Sequence, residues 1–265
     1  RGGEKNMKPN LLYVYEERIP EALRAIVRSH IPKKEFAIEE LSYTESSSAQ
    51  KKKMARADAV LFAPGRFLAD EVIIAARSAR LFQLWSAGFD KFNVAAATAV
   101  GIPVATNGGG NADSVAEHTV LLMLSVLRRL PEMDRIARSG AWGGTSYGLD
   151  MHALRGKTLG IVGFGNIGRK VAQIAAGFGM NIVYYDIHPA PKKEKNLLCA
   201  SAVPLNALLR VADVVTLHLR ADDTTKDIIG AREFAQMKHG AILINTARAT
   251  LVDQDALLAS LSSGH

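Results

Sequence analysis

The chain has 265 residues, 48% hydrophobic and 22% charged, an ordinary globular composition with length for one large domain or two modest ones. Its longest apolar run, around 120–124, is far too short to cross a bilayer, and no basic segment leading into an apolar one marks a secretory leader; residues 1–6, ahead of Met7, read as a frayed or appended end. The net charge of +7 is spread along the chain apart from Lys51-Lys52-Lys53 and Lys192-Lys193-Lys195, both read as solvated surface, so neither a nucleic-acid nor a membrane partner is expected.

Between residues 10 and 106, short apolar runs alternate with helical patterns. Strands are predicted over 11–15, 36–41, 59–63, 81–84 and 103–105, and helices over 21–29, 68–78 and 94–100. That alternation predicts a parallel sheet with helices on its faces. Residues 106–110, ending in three consecutive glycines, form the candidate hinge between two domains. Ser114-Val115-Ala116-Glu117 then matches a capping box, in which the serine hydroxyl and glutamate carboxylate satisfy helix-end amides reciprocally. The helix that follows is apolar nearly all round over 120–127 and needs burial on more than one side. Core packing and a subunit interface both answer that need.

The stretch 158–186 carries the most specific signal. Leu159-Gly160-Ile161-Val162 reads as a buried parallel strand, followed by Gly163-Phe164-Gly165-Asn166-Ile167-Gly168. Ile167, Val171, Ile174, Ala175 and Phe178 then recur at helical spacing up to Gly179, and a second strand, 182–185, finishes on Asp186. A GxGxxG turn between strand and helix, with an acid ending the next strand, is the dinucleotide fingerprint. Gly163 permits the tight turn, Gly165 lets backbone approach a pyrophosphate, and Gly168 lets helix and strand pack closely. The free amides near Asn166 and Ile167 favour phosphate. Asp186 accepts from ribose hydroxyls and repels a 2′-phosphate, and neither Ile187 nor His188 supplies an arginine, which selects NAD over NADP. The alternative is a ligand-free glycine-rich turn.

Further on, the pattern predicts a helix over 205–211, strands over 214–219 and 241–246, and a short helix over 233–238. Asp253 is expected to cap a helix over 254–261, with Gly264 at its C′ position. In strand order 3-2-1-4-5-6 that helix leads into a sixth strand covering 241–246. Without one the apolar edge is exposed, so the chain is expected to belong to a longer one. The single cysteine, Cys199, excludes an internal disulfide framework, fits a reducing cytoplasm, and reads as a small apolar filler. No metal-ligand cluster is evident.

Five segments, in order from about Leu68 onward, resemble the D-isomer-specific 2-hydroxyacid dehydrogenase family, which includes phosphoglycerate dehydrogenase and hydroxypyruvate/glyoxylate reductases. They are Trp85-Ser86-Ala87-Gly88-Phe89-Asp90, Ser114-Val115-Ala116-Glu117-His118, the glycine turn with Asp186, His218-Leu219-Arg220 with Thr225, and Asn245-Thr246-Ala247-Arg248. Arg220 stands where that family usually has proline. The resemblance implies an α/β protein of two domains, a flavodoxin-like substrate domain over 1–106 and a doubly wound Rossmann NAD-binding domain over 107–265. It implies a homodimer through the helix near 114–130.

The same resemblance implies NAD-dependent interconversion of a 2-oxo acid and its D-2-hydroxy acid. Arg248 is then the catalytic arginine, binding the substrate carboxylate and polarising the keto oxygen, as a planar fork of donors with permanent charge can. The amides of Ala87 and Gly88 take the other side of the carboxylate, and Leu219, Arg220, Thr225, Thr246 and Ala247 line the cofactor pocket. The family's proton-donating Glu and His lie after residue 265. None of His30, His118, His152, His188, His218, His239 or His265 is assigned as the acid, and His118 is expected to face helix packing. Trp85 and Phe89 are read as packing residues, and Arg66 as a candidate for a distal anionic group. The rival reading is an NAD-responsive corepressor-like module without turnover.

Overall fold

The computed structural model describes residues 8–63, 68–142, 148, 151–188 and 199–264. It divides into two compact units, Arg1–Gly110 and Asn111–His265.

Unit 1 holds five parallel strands: β1 (Asn10–Tyr15), β2 (Ala37–Ser42), β3 (Ala59–Phe62), β4 (Phe82–Leu84) and β5 (Val104–Ala105), in spatial order β2-β1-β3-β4-β5. That is the flavodoxin-like order. Helices α1 (Glu21–His30), α2 (Ser47–Met54), α3 (Asp70–Ile73) and α4 (Val94–Ala99) connect them. Leu12, Val14, Val60, Phe62, Phe82 and Leu84 alternate onto buried faces, and Phe62 meets Phe82 and Phe92 edge-on at 5.5 and 5.3 Å.

Two elements of unit 1 depart from expectation. The segment over 68–78 is α-helical only as α3; beyond it, bonds such as Ala76 N–H to Ile73 C=O tighten the chain to three-residue turns. Helix α2 shows no apolar stripe because Met54 is its one fully buried large apolar side chain and its other inward residues are polar. Buried Gln50 donates to the Tyr43 carbonyl at 3.1 Å, and Lys53 donates to the Glu40 carbonyl and to Glu45, each at 2.8 Å. Lys53 is therefore a tether between elements rather than solvated surface; Lys192, Lys193 and Lys195 lie outside the described residues.

Unit 2 begins with α5 (Ala112–Leu127) and α6 (Leu130–Arg138). Its parallel sheet comprises β6 (Thr158–Val162), β7 (Asn181–Tyr185), β8 (Ala200–Ala202), β9 (Val214–Leu217) and β10 (Ile242–Asn245), in order β10-β9-β6-β7-β8. Numbered within the unit this is the doubly wound order 3-2-1-4-5. The connections include α7 (Asn166–Gly177), α8 (Leu205–Val211) and α9 (Ala231–Phe234), and α10 (Gln254–Ser263) follows β10. Both faces of the sheet are buried. Leu159 and Ile161 pack with α5 and α7, while Val162, Val215 and Leu217 pack with Leu208, Leu209 and Phe234 on the other side.

Asp253 caps α10, accepting from the amides of Asp255 and Ala256, and Gly264 ends it in the left-handed region. The capping box at 114–117 is not formed. The helix starts earlier, because buried Ala112 brings its first turn onto the core; Asn111 is the N-cap and Ser114 already lies inside the helix. His118 is exposed rather than packed, since the buried stripe of α5 runs through Ala116, Thr119, Val120, Met123 and Leu127. Leu121 and Val126 remain 50% and 52% exposed. Cys199 is exposed at φ 47°, so it fills no core.

The same lock opens both sheets. Asp58, before β3, takes the Asn10 amide on its carboxylate at 2.6 Å and returns its own amide to the Asn10 carbonyl at 2.9 Å. Asp213, before β9, does this with Thr158 at 2.7 and 2.9 Å and also pairs with Lys238 at 2.8 Å. Each aspartate fixes the register of a neighbouring strand against the first strand of its unit. Among the described residues, no helix is long and apolar enough to cross a membrane.

Candidate functional site

Strand order sets what meets at the carboxyl edge of the second sheet. Because β10, β9, β6 and β7 are neighbours, the turn bearing Arg248, then His218, then the glycine turn, then Asp186 stand side by side along one edge. Ligands of open α/β sheets collect at that edge.

The three glycines of the turn do three different things. Gly163 has φ +96°, and a Cβ there would lie 2.7 Å from the His218 carbonyl carbon and oxygen, so only glycine lets the turn nest against the chain leaving β9. A Cβ on Gly168 would lie 2.2 Å from the Gly163 carbonyl oxygen, so its absence seats α7 directly on the turn. A Cβ on Gly165 would meet nothing within 4 Å. That open space lies in front of the backbone at the start of α7, where Asn166 is exposed and no side chain caps the helix end. Phe164, between the first two glycines, is buried and stacks on Tyr184 at 3.9 Å, plugging the turn into the core.

Asp186 follows β7 and reaches back to this turn. Its Oδ2 accepts the Phe164 amide at 2.6 Å and its Oδ1 accepts the His188 amide at 2.8 Å. Each carboxylate oxygen keeps a further lone pair for a hydroxyl donor. The open approach at Gly165, the uncapped amides of α7 and this carboxylate together fit the pyrophosphate and ribose of an adenine dinucleotide.

His218 leaves β9 largely buried, with Nε2 3.0 Å from the Thr216 hydroxyl and Nδ1 meeting no hydrogen-bond partner among the described residues. Burial lowers its pKa to about 4, so the imidazole is neutral at ordinary pH. In the following loop Thr225 donates to the Arg220 carbonyl at 2.7 Å and accepts the Asp222 amide at 2.9 Å. The hydroxyl of Thr225 thus folds the loop that carries Leu219 and Arg220.

The third part is the turn 245–248. Asn245 clamps it from within, its Oδ1 accepting the Ala247 amide at 3.0 Å and its Nδ2 donating to the Arg248 carbonyl at 2.8 Å. Thr246 lies 3.1 Å, hydroxyl to hydroxyl, from Thr119 of α5. Arg248 is exposed and its guanidinium bonds the Ala247 carbonyl at 3.0 Å. On the outer side of β10, an apolar groove of about 670 Å³ runs from this turn between α9 and α10, lined by Phe234, Met237, Leu243, Val252 and Leu257.

In unit 1, Ala87 and Gly88 lie just past the carboxyl end of β4. The loop is shaped by the Ser86 hydroxyl, which donates to the Gly88 carbonyl at 2.7 Å, and by the Asn107 amide, which donates to the Ser86 carbonyl at 3.1 Å. Phe89 packs on the unit 1 core. Arg66 lies outside the described residues. Among the described residues, no group of three or more His, Cys, Asp or Glu side chains is placed to hold a metal.

A doubly wound parallel sheet whose glycine turn faces an acid on the neighbouring strand defines unit 2 as a dinucleotide-binding domain. Residues 120–265 match the family described as "D-isomer specific 2-hydroxyacid dehydrogenase, NAD binding domain". The chain belongs to that family, and its cofactor is NAD. It is 37% identical over 199 residues to a glyoxylate reductase of Thermococcus litoralis, covering 73% of this chain and 60% of that protein. It is 34% identical over 260 residues to D-3-phosphoglycerate dehydrogenase 2 of Arabidopsis thaliana, covering 97% of this chain and 40% of that one. A D-lactate dehydrogenase from Aquifex aeolicus, solved with NAD and lactic acid, superposes with a TM-score of 0.82 at 27% identity, covering 96% of this chain and 74% of that chain. The chain thus spans about 60% of the length of the first of these relatives.

Four contributors escaped the sequence reading: Phe164, Thr216, Thr119 and the side chain of Asn245. For Thr119 the available signal was a hydroxyl just ahead of the apolar run 120–124, and for Asn245 an asparagine ending an apolar strand.

Proposed function

We propose that this protein is a cytoplasmic NAD-dependent oxidoreductase that interconverts a 2-oxo acid and its D-2-hydroxy acid. The observation that carries the reading is Arg248, set at the carboxyl end of β10 on the same sheet edge as the glycine turn. Bound NADH supplies the hydride that reduces the carbonyl carbon. The amides at the start of α7 take the pyrophosphate, Asp186 takes the ribose hydroxyls, and Leu219, Arg220, Thr225, Thr246 and Ala247 line the rest of the cofactor's path. Arg248 offers two parallel donors to the substrate carboxylate and draws electron density toward the keto oxygen. The amides of Ala87 and Gly88 are the proposed second set of donors to that carboxylate.

His218 is not the proton donor in this proposal: it is buried, and its Nε2 is engaged by Thr216. The donor is the Glu–His pair that the family resemblance places after residue 265. A homodimer through the helix near 114–130 is proposed as well, supported by Leu121, Val126 and Leu130, each about half exposed.

Glyoxylate, hydroxypyruvate and phosphohydroxypyruvate are the substrates to try. NADH oxidation followed at 340 nm is expected with at least one. Arg248→Ala is expected to lower kcat/KM by at least about a hundred-fold, the scale of two lost charge-assisted hydrogen bonds. NADH binding, seen by fluorescence, without turnover of any of the three acids would refute the reading.

A further inference from the structure

A threonine on α5 reaches the arginine-bearing turn. Thr119 is fully buried, and its hydroxyl lies 2.8 Å from the Val115 carbonyl one helical turn back and 3.1 Å from the Thr246 hydroxyl. A carbonyl oxygen can only accept, so the one proton of Thr119 goes to Val115. Thr119 must then accept from Thr246, which fixes the Thr246 rotamer and leaves only acceptor lone pairs on that hydroxyl. A chain of hydrogen bonds thus runs from the Thr246 hydroxyl through Thr119 to the backbone of α5.

This anchor complements the clamp inside the turn. Asn245 holds the amide of Ala247 and the carbonyl of Arg248, which sets the turn's internal shape. The β10–β9 ladder, with Asn245 opposite Leu217, sets where the strand ends on the sheet edge. Thr119 adds a hold on Thr246, the first residue past that strand, because α5 is itself seated by Met123 and Leu127 in the core, with Asp113 pairing with Lys170 of α7 at 2.7 Å. Helix α7 starts at the glycine turn, so α5 references both the cofactor turn and the arginine turn to one rigid element.

We propose that Thr119 is a positioning residue for Arg248, holding the 245–248 turn in register with the glycine turn through its hydrogen bond with Thr246. The inference rests on the function proposed above. It predicts that the hydroxyl, and not merely the volume, is required at residue 119.

The test compares Thr119→Val, which keeps the shape and removes the hydroxyl, with Thr119→Ser, which keeps the hydroxyl, in the full-length protein. Thr119→Val is expected to raise KM for the oxo acid and lower kcat/KM by about ten-fold, the scale of one lost neutral hydrogen bond. The KM for NADH should move by a smaller factor than that for the oxo acid, since the glycine turn and Asp186 are untouched and only the Thr246 lining of the cofactor's path shifts. Thr119→Ser should recover most of the loss. A Thr119→Val enzyme with wild-type KM and kcat for the oxo acid would overturn the inference and leave the proposed function standing. So would a loss of activity that Thr119→Ser does not recover. A wild-type protein that turns over no oxo acid would overturn both.

Discussion

Two alanine substitutions within one glycine turn, Gly165→Ala and Gly168→Ala, separate its folding role from its binding role. At Gly168 the added Cβ would lie 2.2 Å from the Gly163 carbonyl oxygen, against about 3.4 Å for ordinary contact, so α7 must lift by about 1.2 Å. Both partners are backbone, so neither can swing away. Overpacking of this kind costs about 1–3 kcal/mol, offset by the roughly 1 kcal/mol that alanine gains over glycine in a helix. A net loss of up to about 2 kcal/mol is expected, or a fall of at most several degrees in Tm.

At Gly165 the backbone has φ −78°, which alanine adopts freely, and the Cβ meets nothing within 4 Å. Reduced chain entropy stabilises by about 0.4–1 kcal/mol, while alanine is a poorer N-cap by a similar amount, so stability should change by less than about 1 kcal/mol. The new methyl instead occupies the approach to the amides of α7. Losing one charge-assisted bond to phosphate costs about 1.5–3 kcal/mol, a ten- to hundred-fold weaker Kd for NADH. Urea unfolding gives the first quantity and NADH fluorescence titration the second. A Gly165→Ala protein that is stable and binds NADH within about two-fold of wild type would refute the assignment of this turn to the pyrophosphate.

Two further outcomes follow from buried and exposed side chains. The folded-state pKa of His218 is about 4 against 6.5 for an unperturbed histidine, so the unfolded chain binds this proton first as pH falls. Stability from this residue is therefore intact above about pH 6.5 and lost progressively toward pH 4, by about 3 kcal/mol in all. Thermal melts of wild type and His218→Asn across that window should converge at low pH; parallel curves would count against a buried neutral imidazole. Leu121→Asp, on the half-exposed face of α5, should convert a dimer to monomer in light-scattering chromatography without lowering Tm beyond a few degrees. An unchanged dimer mass would move the interface elsewhere.

How much was legible before any coordinates depended on whether the cause was local. The glycine turn and Asp186 could be read because each residue type answers a constraint within one strand–turn–helix–strand unit. The α10 cap was likewise local, since Asp253 bonds amides two and three residues on. Of helix α2 the lysine triplet after the serines gave only a solvated loop or a helix start, because the helix's inward polar residues are satisfied outside it: Gln50 finds Tyr43, and Lys53 finds Glu40. The capping box at 114–117 failed for the opposite reason. A correct local motif lost to the burial of Ala112, which moved the N-cap from Ser114 back to Asn111.

From residue order alone came the α/β fold class and the cofactor, because periodicity, turn chemistry and a short spaced motif are properties of neighbouring residues; the arginine to test came from the family resemblance. Only the packed sheet decided which strand ends stand together and therefore that Arg248, His218, Gly163 and Asp186 share an edge. The bond between Thr119 and Thr246 spans 127 residues. No local propensity encodes such a contact; it exists because α5 and β10 are pressed together by a core assembled from the whole unit.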